Sequence, residues 1–382
     1  MNPLRMLDNV AANSDALKEA LQIRNPRVLR GLVGPATRGY LLRTGKNDRA
    51  TSVATRNDAH FVWEYDRDHA ELAKLYTAAK AGQWDSDRDL DWSTNVDPYD
   101  SSRELIPEEL LPLADVPAYG ALPDRQRAEQ RYALLAWMLS QFLHGEQGAL
   151  FAACQVTEAV RWIDGKLYGS TQVMDEGRHV EVFHRYLSEK LSKLYSINDN
   201  LYVLIDALMS DGRWDLKFLG MQIMIEGLAL GAFGTIRAAT REPLLKELLK
   251  MVITDEARHV HYGVVALGEY YTSDLGERER HEREDWAYEM TVLMRNRFLA
   301  HEFYDEYYAH QMKRAEWNRI VLESKFMGFF RNTMFKRIVP NLKRIGLLTD
   351  RIRPHYADLG LLEWENEKAA PDLTAEDLLR AA

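Results

Sequence analysis

Cysteine is almost missing from this chain of 382 residues: Cys154 is the single one, set in the apolar run LFAACQV. No intramolecular disulfide can form, so an oxidising compartment has left no mark, and the expectation is a cytoplasmic protein whose one thiol is ordinary buried packing. The run G-x-G-x-x-G does not occur, which leaves no visible flavin or nicotinamide motif. No stretch approaches about 18 uninterrupted apolar residues, and the N-terminus MNPLRMLDNVAANSDALKEA lacks a long apolar segment; neither an export signal nor a membrane span is expected. An excess of positive charge is lacking too. The 58 acidic residues outnumber the 49 basic ones, for a formal charge of -9, which argues against a protein devoted to neutralising nucleic-acid phosphate.

What is present is helix-forming sequence. The 46% hydrophobic and 28% charged content fits a globular protein with a sizeable core. Residues 1 to about 60 mix short periodic pieces with Gly and Pro, and are expected to wrap irregularly on something larger. Helical spacing runs from Glu64 to Gln83, followed by WDSDRDLDWSTNVDPYDSS, which reads as a long surface segment. From about Asp124 apolar residues recur at helical spacing, with breaks near Asp164-Gly165, Asn198-Asp199, Asp211-Gly212, Arg241-Pro243 and Ser273-Gly276. Strand-like alternation is scarcely seen. The expected fold is all-α: a four-helix bundle core over residues 124–300, an N-terminal region 1–123 packed on it, and a C-terminal helical extension and tail, 301–382. Within the last part, Lys325, Arg331, Lys336, Arg337, Lys343 and Arg344 stand among apolar residues. The expectation is a helix that packs one face and solvates the other, and the acidic tail WENEKAAPDLTAEDLLRAA reads as loosely held.

Two near-identical segments carry the chemistry: Asp175-Glu-Gly-Arg-His179 and Asp255-Glu-Ala-Arg-His259. In each, Glu and His stand three apart (Glu176 with His179, Glu256 with His259), so both side chains leave one helix face and can touch one metal ion. Carboxylate with imidazole suits iron or manganese. Thirty residues before Glu176 stands Glu146 (176 − 146), and thirty before Glu256 stands Glu226 (256 − 226), each in an apolar helix. Both glutamates and both pairs therefore repeat at one offset of 80 residues (226 − 146 and 256 − 176). A carboxylate inside an apolar helix must be paired or bound to metal. Another Glu-x-x-His, Glu181 with His184, is discounted because Glu181 is rotated about 140° from Glu176. Asp175, Arg178, Asp255 and Arg258 repeat with the ligands; an aspartate there can accept the free ring N–H of a ligating histidine, and the arginine can balance its charge.

DEGRH and DEARH, with GEQGAL and EGLALG upstream, resemble the non-haem di-iron oxygenases of the ferritin-like superfamily over about residues 140 to 265. Within that group the pattern is most similar to hydroxylase α subunits of bacterial multicomponent monooxygenases, and it is also similar to p-aminobenzoate N-oxygenases and ribonucleotide reductase small subunits. The resemblance implies a ferritin-like bundle with Glu146, Glu176, His179, Glu226, Glu256 and His259 as catalytic metal ligands. It implies two iron ions, Fe/Fe or else Mn/Fe, that activate O2 to hydroxylate or N-oxygenate a small, largely apolar organic molecule. Electrons would come from a separate reductase or ferredoxin. Related bundles pair, which is compatible with a homodimer, although no interface is marked in the sequence. A radical-generating or ligand-binding oxidase of the reductase-like kind and a ferritin-like iron store are the rival readings.

This chain departs from the relatives at three positions. Leu230 stands where the multicomponent monooxygenases usually carry threonine. Phe183 stands where most reductase small subunits carry the radical tyrosine, as it does in some manganese/iron forms. Val252 replaces the third histidine of the N-oxygenases, so six ligands are expected. Phe183, Leu150, Ala153, Leu230 and Phe233 lie near the ligands in helical phase, as pocket lining or as core.

Overall fold

The computed structural model describes residues 25–46 and 49–374, together with positions 11, 13, 14 and 377. The N-terminal segment expected to lack an export signal lies almost wholly outside the described residues, as do the end of the acidic tail and the side chain of Arg331. Every regular element among the described residues is helical, and no strand occurs among them.

The first helix, α1 (Pro26–Ala36), begins behind Asn25, whose side chain accepts a hydrogen bond from the Arg27 amide, with proline at the first position. These are strong start signals, and they set a regular element inside the region expected to be irregular. The helix α2 spans Ala70–Ala81, shorter than the spacing from Glu64 predicts. Residues 64–69 are not helical because their polar groups have another partner: Asp164 accepts from the His69 amide at 3.1 Å and from the Arg67 guanidinium.

Four long helices form the core: α3 (Asp124–Ala159) and α4 (Ile163–Arg185), then, after α5 (Asp199–Ser210), α6 (Trp214–Ala239) and α7 (Pro243–Glu269). Turns of three residues, 160–162 and 240–242, join α3 to α4 and α6 to α7, so each pair folds back as an antiparallel hairpin. The first break lies just ahead of the predicted Asp164-Gly165. Asp164 is inside the first turn of α4, where the helix dipole favours a carboxylate. At the second break Glu242 caps α7, accepting from the amides of Leu244 at 2.8 Å and Leu245 at 2.6 Å and from the Tyr186 hydroxyl at 2.9 Å.

The helix α6 is long and apolar enough to cross a bilayer by composition, yet 94% of that window is buried inside the protein. Its path includes a π-helical turn over Leu219–Ile225, immediately before Glu226, a local widening common at functional sites. The pairs also approach closely: a Cβ added at Gly263 of α7 would lie 2.6 Å from the Gln222 Cβ of α6.

Five further helices follow: α8 (Glu277–Asn296), α9 (His301–Tyr307), α10 (Arg314–Glu323), α11 (Lys325–Arg344) and α12 (Arg353–Asp358). The helix α2 packs on α4 and α7, and α11 packs on α6, burying Phe335, Ile338, Val339 and Leu342. Two basic side chains of α11 turn to the C-terminal segment: Lys336 lies 5.5 Å from the Trp364 ring centre and Lys343 donates to Asn366 at 2.7 Å.

Candidate metal centre

Glu146 on α3, Glu176 and His179 on α4, Glu226 on α6, and Glu256 and His259 on α7 converge in the middle of the bundle. All six are buried, with Glu176, His179 and His259 at 0% exposure. They form two overlapping groups, in each of which one ligand atom per residue lies within 4.8 Å of the others: Glu146, Glu176, His179 and Glu256, and then Glu176, Glu226, Glu256 and His259. Glu176 and Glu256 belong to both groups. Were two ions bound, Glu176 and Glu256 would be available to both, and each ion would have one further glutamate and one histidine.

Several of the candidate donor atoms lack a hydrogen-bond partner. Glu176 Oε2, Glu226 Oε2, both oxygens of Glu256 and His259 Nδ1 are buried and have no hydrogen-bond partner. Leaving such atoms unpaired in a core is costly, and two divalent ions would satisfy them while neutralising the four glutamates. His179 Nδ1 stands 3.1 Å from Glu256, 3.3 Å from Glu146 and 3.6 Å from Glu176. His259 Nδ1 stands 3.1 Å from Glu176 and 3.5 Å from Glu256. In both rings Nδ1 faces the carboxylates, and Nε2 points away.

The outward nitrogens are held crosswise. His179 Nε2, on α4, lies 3.1 Å from Asp255 of α7, and His259 Nε2, on α7, lies 3.3 Å from Asp175 of α4. An aspartate accepting from Nε2–H leaves the Nδ1 lone pair free for metal and fixes the ring direction. Arg178 bridges the two aspartates, 2.6 Å from Asp175 and 3.0 Å from Asp255, while Arg258 pairs with Asp255 and lies 3.7 Å from Asp175.

Three partners of this network have no counterpart in the repeated motif. Gln83 donates to Asp175 at 2.8 Å and accepts from Arg178 at 2.8 Å. The Trp84 indole donates to Asp255 at 2.8 Å, and the Arg178 guanidinium lies 4.5 Å from its ring centre. Gln172 donates to Glu176 at 3.1 Å and to Glu226 at 3.0 Å. The segment 84–102 lies largely at the surface as expected, with Trp84, Ser86 and Leu90 as its buried exceptions. Their Asp- and Ser-rich context conceals this burial, since a segment covering a charged cluster needs polar residues as well as apolar ones. Glu181, set aside on rotation, accepts from Ser86 at 2.8 Å, and neither it nor His184 belongs to the ligand groups.

Charge crowding sets the protonation of the ion-free cluster. Burial, and then the Glu256 charge, push Glu146 and Glu226 well above the ordinary carboxylate value. Burial alone would raise Glu176 as well, but His259 and His179 flank it and hold it low. The histidines answer in the opposite sense: burial opposes their charge, yet the surrounding carboxylates outweigh it and hold both well above the usual histidine value.

Beside the ligands is a small cleft. Its walls include Glu146, Glu226 and Glu256 on one side and Phe142, Ala149, Ile225, Ala229 and Phe233 around them, and Arg297 also contributes. Of the five residues placed in phase with the ligands, only Phe233 lines it. Phe183 stacks behind Phe233 at 5.7 Å between ring centres, while Leu150, Ala153 and Leu230 are not part of the wall. Arg297 lies beyond the repeated motif and carries no local signal in the sequence.

A bundle of two antiparallel hairpins, each giving one Glu and one Glu-x-x-His pair to a shared centre, has the architecture of the ferritin-like dimetal carboxylate proteins. No family model and no curated relative matches the chain. Among solved structures it is similar to a variant of the R2-like ligand-binding oxidase with an anaerobically reconstituted Mn/Fe cofactor, at 19% identity and a TM-score of 0.43, covering 75% of this chain and 96% of that one. It is likewise similar to the same kind of oxidase with an aerobically reconstituted Mn/Fe cofactor, at 16% identity and a TM-score of 0.40, covering 71% and 98%. At these values the likeness adds nothing to what the helices and ligands of this chain show by themselves.

Proposed function

We propose that this chain is an O2-dependent dimetal oxidoreductase acting on a small, largely apolar organic substrate, by hydroxylation or N-oxygenation. The observation that carries the reading is the set of buried, unpartnered donor atoms opening onto a cleft with aromatic and aliphatic walls. Glu146 and His179 would hold one ion, Glu226 and His259 the other, and Glu176 and Glu256 both. When bound, such a pair supplies a redox couple able to reduce O2. The chain's own contribution is geometry. Asp255 and Asp175 keep the histidines in one tautomer, Gln172 restrains Glu176 and Glu226, and Phe142, Phe183 and Phe233 keep bulk water from the ligands. Electrons would come from a separate reductase or ferredoxin, since the sequence carries no flavin or nicotinamide motif. A second copy of the chain as partner and a cytoplasmic setting belong to the same proposal.

A second reading, a Mn/Fe ligand-binding or radical oxidase, is favoured by Phe183. This phenylalanine is fully buried against Phe142 and Phe233, at the position where most reductase small subunits carry a tyrosine. Metal identity separates the two readings: a preference for one Mn and one Fe when both are offered selects the second.

Anaerobic reconstitution with Fe(II), metal analysis and the optical spectrum after O2 test the proposal. About two irons per chain, an O2-dependent absorption band and loss of both in Glu176→Ala are expected. Iron binding indifferent to Glu176 would overturn it.

A further inference from the structure

The cleft beside the metal ligands contains one group that the dimetal reading leaves unused. Arg297 stands in the short turn Arg297–Leu299 after α8 and is 3% exposed. Its Nε has no hydrogen-bond partner, and among the described residues no ion pair reaches its guanidinium. Its guanidinium carbon lies 5.0 Å from the centre of the Phe298 ring. Burial lowers its pKa to about 10. At neutral pH it therefore remains a cation.

A buried, unpaired guanidinium is costly to keep, and the metal centre does not require it. Two divalent ions balance the four glutamates, and Arg178 and Arg258 balance Asp175 and Asp255. One positive charge is left over, on the wall of the same cleft that Glu146, Glu226 and Glu256 border. A guanidinium presents a planar fork of donors matched to a carboxylate. We propose that Arg297 is the anchor for the acid group of the substrate, so that the dimetal centre acts on an organic carboxylic acid whose apolar body lies against Phe142, Ala229 and Phe233. This rests on the oxidoreductase reading for its chemistry, but not for the binding itself. The clear volume of the cleft is only ≈ 20 Å³, room for about one water, so the acid enters by displacing side chains. Ile225, the last residue of the π-helical turn, is on that wall.

Zn(II)-loaded protein, which cannot react with O2, tests this by calorimetric titration with two matched pairs, benzoate against benzyl alcohol and hexanoate against hexan-1-ol. The acid of each pair is expected to bind about tenfold or more tighter than its alcohol. Arg297→Met should remove that preference, and Arg297→Lys should keep part of it. A carboxylate that merely ligated the metal would bind equally well to all three proteins, which would overturn the proposal, as would equal affinity for acid and alcohol in the wild type. Thermal unfolding of the ligand-free proteins gives a second readout. Loss of the unpaired cation should leave Arg297→Met at least as stable as the wild type, whereas a residue kept for packing would lose stability on substitution. If Arg297→Met does not fold, the wild-type comparison and Arg297→Lys decide. Two zinc ions bound with no acid preference would sink this inference alone; a failure to bind metal would sink the oxidoreductase reading instead.

Discussion

The six candidate metal ligands are not equivalent in position, and their inequality is testable one residue at a time. Glu146 serves one group of ligands, whereas Glu176 serves both. Glu146→Ala should therefore leave about one metal ion per chain, while Glu176→Ala should lose both. Mass-spectrometric metal analysis after desalting distinguishes them, and equal losses would contradict the bridging assignment. Trp84 offers a different test. Its indole hydrogen bond to Asp255 lies one step from His179, so Trp84→Phe should keep the fold but weaken metal binding or turnover by about 10- to 100-fold, the usual cost of losing a partner behind a metal-bound histidine. A titration with Co(II), whose d–d bands report coordination, would show it.

At the scale of helices, the close approach of α6 and α7 has an energetic consequence. A methyl at Gly263 collides with Gln222, and Gln222 in turn donates to Gln172 at 3.4 Å. Gly263→Ala should destabilise the protein by about 1–3 kcal/mol, as overpacking does, and it should also disturb metal loading, because Gln172 restrains Glu176 and Glu226. Denaturant unfolding and metal analysis on the same sample check both effects. The repeat that marks the ligands was legible because metal chemistry demands particular residue types at helical spacing, and a duplicated Glu-x-x-His meets that demand twice. Helix ends were less legible: Asp164, read as a breaker, lies inside α4 because Arg67 and the His69 amide from a distant segment engage it. The π-helical turn before Glu226 and the burial of Trp84 were hidden for the same reason. Each depends on contacts across the bundle, and neither has a signature in adjacent residues. Arg297 was hidden more completely, since an arginine that ends a helix usually faces water.

For the whole molecule, the ion-free cluster couples folding to pH. The histidines and the two terminal glutamates have raised pKa values when folded, so the native state binds more protons than the unfolded chain. Stability is then fully present below the unfolded values and falls as pH rises, for the histidines from about pH 6.5 upward. The low values of Glu176 and Asp255 act in the other direction, but over the acidic range where those groups titrate. Metal-free protein should lose thermal stability as pH rises above about 6.5, and metal-loaded protein should not, since bound ions replace the protons. Metal binding should release protons and tighten with pH over the same interval, which indicator-dye titration in weak buffer measures. A metal-free melting temperature that rises through this range would refute the coupling.

The crosswise attachment of each histidine to the other hairpin's aspartate makes the two hairpins interdependent. Neither hairpin alone supplies a full set of donors for an ion, and neither orients its own imidazole. Two identical copies of one hairpin would present the repeated Glu, Glu-x-x-His and Asp/Arg groups; Gln83, Trp84 and Gln172 are not repeated. Each half of the site therefore depends on the other, so separating the hairpins would leave both sets of donors incomplete.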